Sequence, residues 1–246
     1  MKVLIVGYGV VGHNLQSDLA RLHPDIYDKY KTKCNTKDES IKYDIAFICT
    51  DTPYNEQGLC DLSAVEAAIQ ETNADIYVIK STILPKTTEK FVKKFGKKII
   101  FSPEYYGGTQ HCNNFDFNFT ILGGNKEWSR KVIQALQNVY DARHKFYMTD
   151  STTAELVKYM ENSFLATKVS FCVQFFELAE KLGVNYEELR ELFVLDPRVN
   201  PSHTFVYRAH PYYSSHCLNK DVPAIAYSQD AELLKAVIEF NNKRKS

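Results

Sequence analysis

Cys217 lies in the run His216-Cys217-Leu218-Asn219-Lys220-Asp221, where a thiol stands close to a lysine and a carboxylate. That company suits an activated sulfur nucleophile, although a cysteine without such a role is more often a small buried residue. Upstream, Lys158 and Asn162 are four residues apart in a helical pattern, which puts both on one face. A lysine beside an amide can stabilise an oxyanion and move a proton; the plainer reading is a solvated surface lysine. Glu104, in Phe101-Ser102-Pro103-Glu104-Tyr105-Tyr106, follows an apolar strand and offers a carboxylate for acid–base work. Hydroxyls recur after two other strands, Thr50 and Thr52 in Cys49-Thr50-Asp51-Thr52-Pro53 and Thr82 in Lys80-Ser81-Thr82-Ile83-Leu84-Pro85. Each of these alone is an ordinary strand ending, but together they would line one rim of a parallel sheet, where ligands bind.

The N-terminal run Gly7-Tyr8-Gly9-Val10-Val11-Gly12 opens a helix directly after the apolar strand 2–6. Gly7 permits a tight turn, Gly9 lets backbone approach a pyrophosphate, and Gly12 lets the helix pack close. Asp28, sixteen residues past Gly12, falls at the end of the next strand, 26–30. An acid there can bind the adenosine ribose, so the cofactor expected is NAD, with Lys29 and Lys31 leaving NADP open.

The elements needed to position these residues are legible as alternation. Strands are expected at 2–6, 26–30, 45–49, 76–80, 99–101, 119–122 and 145–148, with helices at 11–22, 62–72, 87–95 and 128–140. Strand–helix alternation predicts an α/β fold of Rossmann type, with a mostly parallel sheet covered on both faces. After Asp150 the pattern changes. Residues 153–182 contain no Gly or Pro and stop at Gly183, with Leu156, Tyr159, Met160, Phe164, Thr167, Phe171, Phe175 and Leu178 at helical spacing. Thr152 and Glu155 offer a capping box for this helix. Shorter helices at 186–193 and 231–242 follow, with the intervening stretch read as loop and the basic end 243–246 as a solvated tail. The expected domains are 1–150 and 151–246, the second a helical domain built on a long helix of the kind that links domains or builds a subunit interface.

Composition narrows the classes. Thirty basic and thirty acidic residues leave a net charge of 0, which argues against nucleic-acid binding through a general basic field. No run of apolar residues reaches the length of a membrane span, and the start does not resemble a secretion signal. The six cysteines form no C-x-x-C pair, so no metal site is suggested and a cytoplasmic setting is expected.

Taken in order, these motifs resemble the UDP-glucose/GDP-mannose 6-dehydrogenase family from residue 2 to about residue 228. Three segments carry the resemblance most specifically. They are 154–168, with Lys158 and Asn162; Leu195-Asp196-Pro197-Arg198-Val199-Asn200-Pro201; and Cys217-Leu218-Asn219-Lys220-Asp221. The resemblance implies a two-step oxidation of a nucleotide-sugar C6 alcohol to the carboxylate, with two NAD reduced. Cys217 would be the nucleophile, and Lys158 and Asn162 would stabilise the oxyanion. Asp221 would order the lysine and a water, while Glu104 would serve thioester hydrolysis. Thr82 would position the water and touch the cofactor. Gly7, Tyr8, Gly9, Val10, Val11, Gly12, Asp28, Thr50 and Thr52 would hold NAD. Glu104, Lys158, Asn162, Arg198, Tyr213 and Lys220 would contact the sugar nucleotide, Arg198 reaching a substrate in the neighbouring subunit of a homodimer.

The sequence also departs from that family. Tyr212-Tyr213-Ser214-Ser215-His216 stands where a glycine-rich loop is usual, Gly108 stands where an acid is usual, and Asn219 replaces a proline. The segment between Asp28 and Ile45 is short. The third domain that helps bind the nucleotide is expected to lie outside these 246 residues. Two other readings are a non-catalytic NAD-binding dimer and a two-electron β-hydroxyacid-type dehydrogenase.

Overall fold

A computed structural model describes residues 1–54, 60–106 and 117–245. The first compact unit runs to Lys158 and the second begins at Tyr159.

Seven strands build the first unit: β1 (Val3–Val6), β2 (Asp25–Tyr27), β3 (Tyr43–Ile48), β4 (Ala74–Ile79), β5 (Lys98–Phe101), β6 (Phe119–Gly123) and β7 (Lys145–Thr149). They form one sheet in the order β2-β1-β3-β4-β5-β6-β7. Pairing is parallel throughout except between β5 and β6, which run antiparallel. The helices are α1 (Val10–Asp18), α2 (Ser63–Gln70), α3 (Thr87–Phe95) and α4 (Lys126–Leu136).

The period-2 alternation of each strand divides the core between the two sheet faces. Val3, Ile5, Ile45, Phe47, Ile76, Val78 and Ile100 pack in one cluster with Leu15 and Val132 of the helices. Leu4, Val6, Ala46, Ile48, Tyr77, Ile79, Ile99 and Phe101 pack in the other with Val65, Ile69 and Phe91. Both faces are apolar, so these strands read as continuous runs. The chain leaves β1 toward β2 on one side and toward β3 on the other. That reversal of strand order opens a crevice at the carboxyl ends of β1 and β3.

Helix α5 (Ser151–Leu182) has 32 residues and rises about 48 Å. It ends where Gly183 takes a left-handed φ of 70°. There Val184 N–H donates to Ala179 O and Gly183 N–H to Glu180 O, closing the last turn. In the second unit, α6 (Tyr186–Phe193), α7 (His216–Ser228) and α8 (Glu232–Asn242) follow. Ala166, Tyr213, Leu218, Val222, Ala226, Val237 and Ile238 form one core there, and Cys172, Phe176, Ala179 and Tyr186 a second. Among the described residues no helix is long and apolar enough to cross a membrane.

Several boundaries differ from the sequence expectation. The helix expected over 11–22 ends at Asp18 and gives way to a short 3-10 turn over Ala20–Leu22. Strand β2 stops at Tyr27 because the Asp28 carboxylate takes the N–H groups of Tyr30 and Lys31, turning the chain away from the sheet. The capping box is not formed: Asp150 caps α5, its carboxylate accepting from Thr153 N (2.8 Å) and Thr153 Oγ1 (2.6 Å), and Glu155 points elsewhere. Helix α7 was expected to be loop; Pro223 within it removes one backbone donor yet does not end the helix. In the basic end Lys243 and Lys245 are exposed, as expected of a solvated tail, but Arg244 is partly buried and Lys245 is engaged by its ammonium. Arg244 makes a two-bond pair with Glu177 at 2.6 and 2.7 Å and stacks on Phe240, and the Lys245 ammonium donates to Asn219 Oδ1 at 2.9 Å. Gly108 lies outside the described residues.

Candidate active site

In the first unit the crevice is lined by the turn after β1. A Cβ added to Gly7, whose φ is 92°, would stand 2.8 Å from the backbone of Cys49. A Cβ on Gly12 would stand 2.0 Å from Gly7 O. Those two glycines are therefore required by the fold itself. Gly9 is different: a Cβ there would meet nothing within 4 Å, so the space beside the start of α1 is open. Backbone laid bare at a helix N-terminus suits a pyrophosphate, and the residues present fit a dinucleotide. Tyr8 turns its hydroxyl to Gln16 and its ring to His13. Val10 is exposed at the first turn of α1, beside the partly buried Val11.

Asp28 closes this turn from the side. Its Oδ2 accepts Tyr8 N at 2.7 Å, and its Oδ1 accepts Tyr30 N and Lys31 N, each at 2.8 Å. Burial pushes the carboxyl up, but the three N–H donors and the Lys31 charge outweigh it and hold it below the usual carboxylate range. Lys31 itself donates to Tyr8 O at 2.7 Å, which engages its ammonium and favours NAD over a 2′-phosphate. An acid whose native pKa is depressed stabilises the fold above the ordinary carboxylate range, and loses that effect as pH falls through the native value. Asp28→Asn is therefore expected to lower the urea midpoint at pH 7, with the difference from wild type vanishing in an acid titration. An equal difference at low pH would show that only geometry is involved.

The hydroxyls after β3 and β4 tie the rim together. Thr52 Oγ1 donates to Thr82 O at 2.8 Å, and Ser81 Oγ donates to Thr50 O at 2.6 Å, with Thr50 Oγ1 3.5 Å from Ser81 Oγ. Thr52 and Thr82 are both buried. Past β5, Glu104 is 6% exposed and its Oε2 accepts Tyr106 N at 2.8 Å. Lys158 is buried, with its ammonium 5.1 Å from the Tyr105 ring centre.

The sequence offers Glu155, one turn before Lys158, as part of a capping box for its own helix. Its carboxylate caps α3 instead: Oε2 accepts Lys86 N at 2.6 Å, and Oε1 accepts Thr88 N at 2.8 Å and Thr88 Oγ1 at 2.6 Å. Lys86 is left-handed, at φ 73°, and supplies no side-chain cap, so this long-range carboxylate fills the place. The result fixes the first turns of α5 in the first unit. Neither Glu155 nor Tyr105 carries a local sequence signal for these contacts, because each partner is distant in sequence.

In the second unit, Cys217 is the second residue of α7. Ser215 caps that helix, its hydroxyl accepting Leu218 N at 3.1 Å. The amino end of a helix stabilises negative charge on sulfur. One turn on, Asp221 is 2% exposed, with Oδ2 accepting Asn162 Nδ2 at 2.7 Å and Oδ1 accepting Lys220 Nζ at 2.5 Å. The carboxylate thus binds the amide of α5 and the lysine next to it in sequence. Tyr213 lies in the core rather than on an open surface; burial pushes its phenol up to about 12, and its backbone pairs with the Asn241 side chain. Arg198 is exposed and held by Asp196, with Nη2 2.6 Å from Oδ2.

Two family profiles cover most of the chain. Residues 18–143 match the NAD binding domain of the UDP-glucose/GDP-mannose dehydrogenase family, and residues 152–243 match its central domain. The UDP-glucose 6-dehydrogenase of Rickettsia felis is 29% identical over 99% of this chain and 62% of its own length. The UDP-N-acetyl-D-mannosamine dehydrogenase of Methanocaldococcus jannaschii is 30% identical over 92% of this chain and 54% of its own. This chain therefore spans roughly three-fifths of such relatives. The solved structure of a UDP-glucose dehydrogenase from Pyrobaculum islandicum shares the fold, with a TM-score of 0.83 at 24% identity over 98% of this chain and 68% of that one.

Proposed function

The chain belongs to the UDP-glucose/GDP-mannose dehydrogenase family, and from that premise we propose that it oxidises the C6 alcohol of a nucleotide sugar to the carboxylate, using NAD and a covalent cysteine intermediate. A UDP-linked hexose of the UDP-glucose kind is the favoured substrate. The observation that carries this reading is the buried Asn162–Asp221 bond, which ties α5 to the helix that presents Cys217.

Gly7, Gly9 and Gly12 would receive the pyrophosphate of NAD, with Tyr8, Val10 and Val11 completing the turn, Asp28 at the ribose and Thr50, Thr52 and Thr82 along the rim. When bound, NAD supplies the hydride acceptor for each oxidation. The chain's own residues handle protons and the covalent bond. Lys158 takes up the alcohol proton directly or through water. The Cys217 thiolate adds to the C6 aldehyde, forming a C–S bond while the carbonyl oxygen becomes an oxyanion, then a thiohemiacetal. Lys158 and Asn162 stabilise that oxyanion. Loss of two further electrons gives a thioester. Water, deprotonated by Glu104 and oriented with Thr82 and Asp221, adds to the thioester carbonyl; the C–S bond breaks, the thiol is restored, and the carboxylate leaves. Lys220 and Arg198 would meet the anionic part of the substrate, Arg198 from a neighbouring subunit.

The test is stoichiometry with purified protein. UDP-glucose and UDP-N-acetylmannosamine at saturating NAD should yield about two NADH per sugar and no released aldehyde. NADH absent with every UDP- and GDP-hexose, while calorimetry still finds NAD bound, would favour a non-catalytic NAD-binding protein instead.

A homodimer belongs to the same reading. Helix α5 exposes Met160 (74%) and Phe164 (63%) in line with Leu156, Phe171 and Phe175, an apolar stripe of the kind a subunit interface covers. Phe164→Asp is expected to weaken dimerisation by at least about a hundredfold in sedimentation velocity. An unchanged oligomer would place the interface elsewhere.

A further inference from the structure

We propose that Lys80 is a positioning residue for Glu104: its buried ammonium braces the turn that carries this carboxylate and supplies its counter-charge. The inference rests on the reading of Glu104 as the acid–base group.

Lys80 directly follows β4 and is 9% exposed. Its backbone continues the sheet, Lys80 N donating to Ile48 O at 2.8 Å. Its Nζ donates to Ser102 Oγ at 3.2 Å and to Pro103 O at 3.1 Å, the two residues immediately before Glu104. Ser102 N in turn donates to Ile79 O at 2.9 Å, so the ends of two adjacent strands hold the turn together. Burying an ammonium costs several kcal/mol unless it is paired. Two neutral acceptors would be served as well by an uncharged side chain, so the charge needs a partner of its own.

Among the described residues, four titratable groups act on Lys80. Glu104 comes from the turn after β5, Cys49 from the end of β3, Asp18 from α1 and Lys158 from α5. Cys49 is a neutral thiol, since burial pushes it up to about 12. Asp18 accepts the Tyr106 hydroxyl. Lys158 repels. Burial lowers the Lys80 ammonium below its ordinary value, and the Glu104 carboxylate is the strongest influence pushing it back. Coulomb coupling is reciprocal, so Lys80 favours the ionised form of Glu104, the form required to accept a proton from water.

The experiment reads Glu104 directly, without turnover. Protein labelled at the glutamate carboxyl carbons is titrated by NMR, and the Glu104 resonance is assigned by its loss in Glu104→Gln. In Lys80→Met and Lys80→Gln, Glu104 should titrate at higher pH, the ratio of protonated to ionised carboxyl at fixed pH rising about tenfold. Lys80→Gln keeps a donor for Ser102 and Pro103, so it separates charge from bracing and stands if the methionine variant unfolds. An unchanged Glu104 titration in Lys80→Gln would overturn the proposal and leave Lys80 a mechanical staple. Full sugar-acid formation by Glu104→Gln would instead remove the acid–base reading and leave the titration result standing.

Discussion

Cys217→Ser should lower formation of the sugar acid by at least about a thousandfold, with little change in NAD binding. The substitution alters one atom, at the partly exposed second position of α7, so folding is not at issue. What changes is the acidity and nucleophilicity of the attacking group. A thiol at a helix amino end is readily ionised, whereas a serine hydroxyl in the same place needs a dedicated base. An oxygen ester would also be a poorer acyl donor to water than a thioester. The measurement is chromatographic: acid formed per sugar consumed, alongside NADH per sugar. Undiminished four-electron turnover by the serine variant would take Cys217 out of the mechanism. The loss should be far larger than that from any residue acting through another.

The second large effect separates two glycines of one motif. At Gly12 an added Cβ would lie 2.0 Å from Gly7 O and 3.0 Å from Gly7 C, backbone atoms that cannot swing aside. Gly12→Ala should therefore displace α1 from the sheet, costing about 3 kcal/mol of stability and abolishing NAD binding as a consequence. At Gly9 nothing stands within 4 Å, so Gly9→Ala should leave the unfolding midpoint nearly unchanged. Its methyl would occupy the space needed by the pyrophosphate, and NAD affinity should fall about a hundredfold, or about 2.7 kcal/mol. Calorimetric titration with NAD, paired with thermal unfolding, reads both quantities. Equal NAD affinity in Gly9→Ala and wild type would mean that this turn holds no dinucleotide.

Most of the architecture could be read from pattern. Continuous apolar runs such as those within Tyr43–Ile48 and Ala74–Ile79 mark the central strands, and the uninterrupted stretch ending at Gly183 marks α5. Errors fell where a side chain overrode local propensity. The Asp28 carboxylate cut β2 short, and Pro223 disguised α7 as loop. The antiparallel entry of β6 has no sequence period to announce it. The candidate site was legible residue by residue wherever a short motif framed it, as with Gly7–Gly12 and Cys217–Asp221. Partners distant in sequence were not legible. Lys80 stands in a motif whose hydroxyls carry the local signal, and Glu155 fits a cap of its own helix in sequence although its carboxylate serves α3. A buried charge leaves no trace in a hydropathy pattern; only the fold reveals which carboxylate or carbonyl it meets.

Helix α5 holds Glu155, Lys158 and Asn162 within little more than two turns, and its first turns are fixed by the Glu155 cap on α3. A continuous helix converts chain length into angle, about 100° for each residue. Inserting or deleting one residue between Lys158 and Asn162 would carry Asn162 about a quarter-turn out of phase with Lys158 without breaking one helical hydrogen bond. Point changes on the outward side of this segment that spare Leu156 and Met160 should be tolerated, while changes in its length should not. The segment behaves as a keyed shaft, where the count of residues matters more than the identity of most of them.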